Sequence, residues 1–172
     1  MTAFANASAQ EPSLAYIGLG ANLGPAMATI GQALNRLNTI PFSQVVQVSC
    51  FYRTPAWGRQ DQPDFINAAA ALMTQLSPQS LLQALLNLES QAGRVRPEGD
   101  RWGPRILDLD LLLYADQCID QPLLKVPHPY LHQRAFVLAP LNDIASDRWI
   151  PGHGRVIDLL TKLGDCGIVK IS

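Results

Sequence analysis

Along this chain the apolar positions switch between a period of two residues and one near 3.6, and each switch marks an element. Leu14–Leu19 (LAYIGL) alternates weakly and predicts a first strand. The run from Gly20 to Pro25 is a turn, with Pro25 suited to the first turn of a helix. Ala26, Ile30, Ala33, Leu34 and Leu37 then recur at helical spacing, which predicts a helix to about Asn38. Val45–Tyr52 (VVQVSCFY) is rich in β-formers, with Val46, Val48, Cys50 and Tyr52 on one face. The loop that follows, RTPAWGRQDQPD, is long enough to suspect function. Phe65–Gln75 (FINAAAALMTQ) has the alanine content of a helix. We read it as a strand, which puts Phe65 and Asn67 on one face beside that loop. Ser77-Pro78 caps a helix that buries Leu81, Leu85, Leu88 and Ala92 and stops at Gly93. Arg105–Tyr114 is a fourth strand, and a short helix near Leu131–Ala139 precedes a less defined tail.

The order β-α-β-β-α-β predicts an α+β, ferredoxin-like fold: an antiparallel sheet with two helices on one face and substrate loops on the other. That order alone names no function. At 172 residues the chain fits a single domain, 14–172, behind a flexible N-terminal stretch, 1–13. That stretch lacks the basic start and apolar segment of a signal peptide. A net charge of −1 argues against a protein that coats nucleic acid. No apolar run is long enough to span a membrane. Cys50, Cys118 and Cys166 stand apart with no metal or disulfide spacing, which suits the cytoplasm.

The chemistry concentrates in RWGPRILDLDLLLYAD, residues 101–116. Strand alternation puts Arg105, Leu107, Leu109, Leu111 and Leu113 on one face and Asp108 and Asp110 on the other. Those carboxylates would sit about 6–7 Å apart and repel by about 2–3 kcal/mol at an effective dielectric near 20. Arginine, a raised pKa or a divalent cation could offset this, and two solvated acids on a polar face are an equal alternative. Magnesium is commonly held by one or two carboxylates, with phosphate completing the shell. Arg94, Arg96, Arg101 and Arg105 supply planar donors for phosphate nearby. Gly18, Gly20 and Gly24 fit neither dinucleotide nor P-loop spacing, so they are assigned to a turn and to close packing. His128 and His132 lie four apart, but Pro129 and the lack of a third ligand argue against zinc. Glu89 reads as a solvated helix residue or an arginine partner and is left out of the site.

The stretch Arg101-Trp-Gly-Pro-Arg105-Ile-Leu-Asp108-Leu-Asp110 resembles the signature of the 6-hydroxymethyl-7,8-dihydropterin pyrophosphokinase family. Matching segments run in order from Tyr16-Ile-Gly-Leu-Gly-Ala-Asn22 through Phe51-Tyr-Arg-Thr54-Pro55, Asp61–Asn67 and Gly93-Arg94-Val-Arg96 to His128 and Arg134-Ala-Phe136. The resemblance implies transfer of diphosphate from ATP to the pterin's hydroxymethyl oxygen, in folate biosynthesis. It implies two magnesium ions on Asp108 and Asp110, and phosphate contacts from Arg94, Arg105, His128 and Arg134. Arg96 and Arg101 would close over the nucleotide, with Leu111 beside it. Phe65 and Phe136 would sandwich the pterin, Asn67 would bond its edge, Thr54 and Pro55 would offer backbone groups, and Trp102 would seal the site. The expected partners are ATP and the pterin, with no nucleic acid or membrane, on a monomer. The chain departs from some relatives at Pro97–Asp100, where a lysine can follow the second arginine, and at Ala21 and Pro129. An RNA-binding module would need sheet aromatics and a basic face. A ligand sensor would not need the two aspartates.

Overall fold

A computed structural model of the chain describes residues 10–56, 58–94 and 103–172. The first strand, β1 (Ser13–Ala21), leads through a turn into helix α1 (Ala26–Leu37). Strands β2 (Ser43–Val48), β3 (Tyr52–Thr54) and β4 (Phe65–Thr74) follow, then helix α2 (Pro78–Gln91) and β5 (Asp108–Tyr114). A hairpin of β6 (Ile119–Gln121) and β7 (Leu124–Val126) leads to helix α3 (Ala135–Ala145). A second hairpin, β8 (Trp149–Ile150) and β9 (Gly154–Arg155), precedes helix α4 (Val156–Leu163) and strand β10 (Val169–Lys170).

The main sheet is antiparallel and ordered β10-β3-β4-β1-β5, with β2 also on β4. Its ferredoxin-like centre is the predicted one. The alanine-rich segment 65–74 is a strand because both its faces are covered, so its small side chains fill a sandwich. Ile30, Ala33 and Leu37 of α1 and Leu81, Leu85 and Leu88 of α2 pack on one face against Ile17, Leu72, Leu109 and Leu111. Ser77 caps α2, its side chain accepting from Ser80 N at 3.1 Å.

Four expectations change. The predicted strand 45–52 breaks in two at Ser49–Phe51, and a bulge at Val46 shifts the register on β4. Val46 and Val48 therefore point to solvent rather than sharing a face with buried Tyr52. The fourth strand starts at Asp108, so Arg105 lies in the loop before it and turns toward Asp108 instead of the leucines. A bulge in β5 between the partners of Tyr16 and Ile17 sends Leu113, with Leu112, to the opposite face from Leu109 and Leu111. Finally, the second sheet face is not left to loops alone. Helices α3 and α4 cover one end of it, packing Leu138, Leu141 and Val156 against Tyr16, Ala71 and Leu113. Among the described residues the other end is uncovered, and it holds the cleft.

Candidate active site

The open end of the sheet forms a cleft of about 330 Å³, within the range of small-molecule sites. Its floor is bare by sequence. Gly18 and Gly20 of β1 pair across with Asp110 and Asp108 of β5, so no side chain stands opposite either carboxylate. On its other edge Gly20 pairs with Asn67, and a Cβ at Gly20 would come within 3.0 Å of Asn67 Oδ1. These two glycines therefore serve close packing, as expected, while Gly24 with φ 62° serves the turn.

At one end of the cleft the charges interlock. Helix α2 ends in a Schellman turn: Gly93 adopts φ 88°, its N–H reaches Ser90 O, and Arg94 N reaches Glu89 O at 3.1 Å. That turn folds Arg94 back over the helix, where its Nη1 meets Glu89 Oε1 at 2.5 Å and Asp108 Oδ1 at 2.7 Å. Arg105 Nη1 takes the other oxygen, Asp108 Oδ2, at 2.7 Å. Glu89 is only 2% exposed and also accepts from Leu109 N at 2.7 Å. It is thus the arginine partner, not a solvated helix residue, and it locks the start of β5 to α2. Its one sequence signal is a lone acid five residues before Arg94 on the turn-ward face of the helix.

The two aspartates carry opposite electrostatics. Burial alone would raise Asp108, but Arg94 and Arg105 outweigh it and hold the carboxyl below its ordinary range. Asp110 is pushed up to about 8, by burial first and then by the charges of Asp108 and Glu89. Among the described residues no hydrogen bond or ion pair reaches the Asp110 carboxylate. An unpaired carboxylate at the floor of a cleft, beside a second one, is a donor set that fits a hard divalent cation. Each Asp108 oxygen keeps a second lone pair for such an ion after its arginine is satisfied. Among the described residues no group of three or more acidic, histidine or cysteine side chains is gathered to hold a metal. Such a cation would thus need oxygens from a ligand.

Three further segments add polar and cationic groups to the cleft. The residue Asn22 accepts from Arg105 N at 2.8 Å and donates to Gln62 Oε1 at 2.9 Å and Pro63 O at 3.0 Å, tying the 58–64 loop to Arg105. His128 is fixed by its N–H on Leu112 O at 2.9 Å and lines the cleft. Arg134 places its guanidinium over the Tyr130 ring at 5.0 Å and the Phe136 ring at 5.7 Å. The pair His128 and His132 diverges, since His132 stacks on His153 at 3.7 Å.

At the other end the lining turns aromatic and neutral. Thr54, Pro55, Phe65, Asn67 and Phe136 all face the cleft. Strand register sets them: Thr54 pairs with Phe65 and Tyr52 with Asn67. Asn67 Nδ2 donates to Thr54 Oγ1 at 2.8 Å, which orients the buried amide. The structure therefore brings together Arg94, Arg105, Asp108, Asp110, His128 and Arg134 with Thr54, Pro55, Phe65, Asn67 and Phe136. Leu111 does not join them, because alternation turns its side chain into the helix-side core. Arg96, Arg101 and Trp102 lie outside the described residues. Tyr130, Asn22 and Glu89 belong to the site or its support and carried no motif strong enough to single them out. Acids and arginines at one end and aromatic faces at the other can hold a polyphosphate against a flat heterocycle.

Comparison with known proteins places the chain in a family. Residues 16–146 match the family described as 7,8-dihydro-6-hydroxymethylpterin-pyrophosphokinase (HPPK), and the chain belongs to that family. It is 44% identical to the 2-amino-4-hydroxy-6-hydroxymethyldihydropteridine pyrophosphokinase of Pseudomonas aeruginosa, covering 91% of this chain and 95% of that one. It is 43% identical to the protein of that name from Methylorubrum extorquens, over 91% of this chain and 98% of the relative. Among solved structures it resembles Plasmodium falciparum wild-type HPPK-DHPS with STZ-DHP, at a TM-score of 0.71 and 14% identity. The match covers 91% of this chain and 44% of that longer one, and it bears on the fold.

Proposed function

We propose that the protein transfers the diphosphate of ATP to the hydroxymethyl oxygen of 6-hydroxymethyl-7,8-dihydropterin, releasing AMP, as a step of folate biosynthesis. Family membership supports the reaction, and the observation that carries it to these residues is the pairing of Asp108 and Asp110 on a glycine floor facing Phe65, Asn67 and Phe136. The pterin slots between Phe65 and Phe136, where stacking contributes about 0.5–1.5 kcal/mol beyond burial, and Asn67 reads its donor–acceptor edge. The hydroxymethyl oxygen attacks the β-phosphorus, the bond to the α-phosphate oxygen breaks, and the hydroxyl proton is lost to solvent. Transfer of this kind has a loose transition state, so alignment and charge neutralisation matter more than a strong base.

Arg94, Arg105, His128 and Arg134 bind phosphate oxygens on this reading, and Arg96, Arg101 and Trp102 close over them. Two magnesium ions on Asp108 and Asp110, when bound, neutralise phosphate charge and align the triphosphate. The reading for cations rests on Asp108 and Asp110 side by side at the cleft floor, where a hard divalent ion bridging them to phosphate oxygens would offset their mutual repulsion. No described helix is long and apolar enough to cross a membrane, and the free thiols of Cys50, Cys118 and Cys166 suit a cytoplasmic enzyme. The test is the nucleotide product formed with ATP, magnesium and the pterin. AMP with pterin diphosphate is expected; ADP would make the protein a simple kinase, and no nucleotide product would leave a sensor.

A further inference from the structure

Asp143, in the last turn of α3, lies outside the cleft and yet receives three donors, from the connection before β3, from β3 and from β10. Cys50 N reaches its Oδ2 at 3.0 Å, while Tyr52 Oη and Lys170 Nζ reach its Oδ1 at 2.8 and 3.4 Å. These donors lie on or beside β3, which carries one wall of the neutral end of the cleft, and on its partner strand β10. Cys50 and Tyr52 lead into and open β3, which delivers Thr54 and Pro55. Lys170 belongs to β10, which pairs with Tyr52 and Arg53 on the outer edge of β3 and is continued by Ile171 N on Phe51 O at 2.9 Å. Just before β10, Gly167 packs on the outer side of Pro55, with φ 71° and room for a Cβ only 3.4 Å from Pro55 Cγ. The opposite wall, Phe136, rises from the first turn of α3 itself.

A three-residue strand is too short to hold its own position, since isolated short pairings are marginal in water. Here it is clamped between β4 and β10, and one carboxylate fixes its distance from α3. We infer that Asp143, with Lys170 as its counter-ion, is a positioning residue that sets the gap between the Thr54–Pro55 wall and the Phe136 wall, and so the affinity for a flat heterocycle between them. Burial and Asp143 together push the Tyr52 phenol up to about 12, which keeps it a donor across the working range. Asp143 acts from the neutral side: among the described residues no hydrogen bond or ion pair links it to Asp108, Asp110, Arg94 or Arg105.

This inference rests on the pterin reading, and the experiment separates the two. Steady-state kinetics with Mg-ATP and the pterin are compared for wild type, Asp143→Ala, Asp143→Asn, Lys170→Met and Phe65→Ala, with thermal melting in parallel. Asp143→Ala is expected to raise the pterin KM about tenfold while kcat and the ATP KM stay within about twofold. Asp143→Asn, which keeps an acceptor, should recover part of the loss, and Lys170→Met should raise the pterin KM about threefold. If Asp143→Ala does not fold, the Lys170→Met split decides. A pterin KM unmoved in the folded variants, or both KM values rising together, overturns the brace. If Phe65→Ala also leaves the pterin KM unmoved, the pterin pocket itself is misplaced.

Discussion

At the charged end of the cleft, Glu89, Arg94, Asp108 and Arg105 hold each other through ion pairs of 2.5–2.7 Å. At the neutral end, Thr54, Phe65 and Asn67 are held by strand register and one amide–hydroxyl bond. The two ends therefore fail differently. Removing one member of an interlocked ion cluster strands a buried charge, which costs stability as well as activity. Removing a neutral contact leaves a well-packed sheet and costs mainly ligand affinity.

The sharpest probe of this contrast is Asp110, the one acid at the charged end with no partner among the described residues. Asp110→Ala should lower kcat/KM by about 10³-fold, about 4 kcal/mol of transition-state stabilisation, with no loss of fold by circular dichroism. Unchanged kcat/KM would remove the metal assignment. Arg94→Met should behave in the opposite way, since it leaves Glu89 and Asp108 facing each other. We expect about 3 kcal/mol lost in urea unfolding, on top of lost activity. If Arg94→Met melts like wild type, the charged end is not interlocked. At the neutral end, Asn67→Ala should raise the pterin KM about tenfold, about 1.4 kcal/mol, with kcat nearly kept. Equal effects on both substrates would erase the distinction between the ends.

A further effect is on pH. Asp110 keeps its proton to about pH 8 when folded, whereas an unfolded aspartate gives it up near pH 4. Between those values the folded state binds more protons, so stability without ligand falls as pH rises across that window. Asp110→Asn should flatten the slope and raise the melting temperature by a few degrees at pH 8. A divalent cation competes for the same carboxylate, so magnesium binding should strengthen from pH 6.5 to 8.5 and release protons, measurable by calorimetry in two buffers. A slope unchanged in Asp110→Asn would mean that the carboxyl is already ionised.

The legibility of the chain follows the same division. Strand 14–19 and both long helices could be read from their periods and the stops at Gly20, Ser77 and Gly93, strand 65–75 from placing Phe65 and Asn67 on one face, and strand 105–114 from its apolar run, though only from Asp108 on. Asp108, Asp110 and the arginines stand out because charged pairs inside an apolar run conflict with burial. What could not be read depends on tertiary partners. The bulge that turns Leu113 over is set by its register on Tyr16 and Ile17, and the break at Ser49 by its two bonds to Ala69. Glu89 looks like any exposed helix acid until the Schellman turn lays Arg94 on it. Helices α3 and α4 were underestimated because Pro140 interrupts one and the other is only eight residues long.

The missing side chain at Gly20 has an effect out of proportion to its size. Alanine there would press on the Asn67 amide, its Cβ only 3.0 Å from Oδ1 and 4.0 Å from the Phe65 ring. One methyl group would thus disturb recognition of the heterocycle alone, in a protein that still folds and still binds its nucleotide.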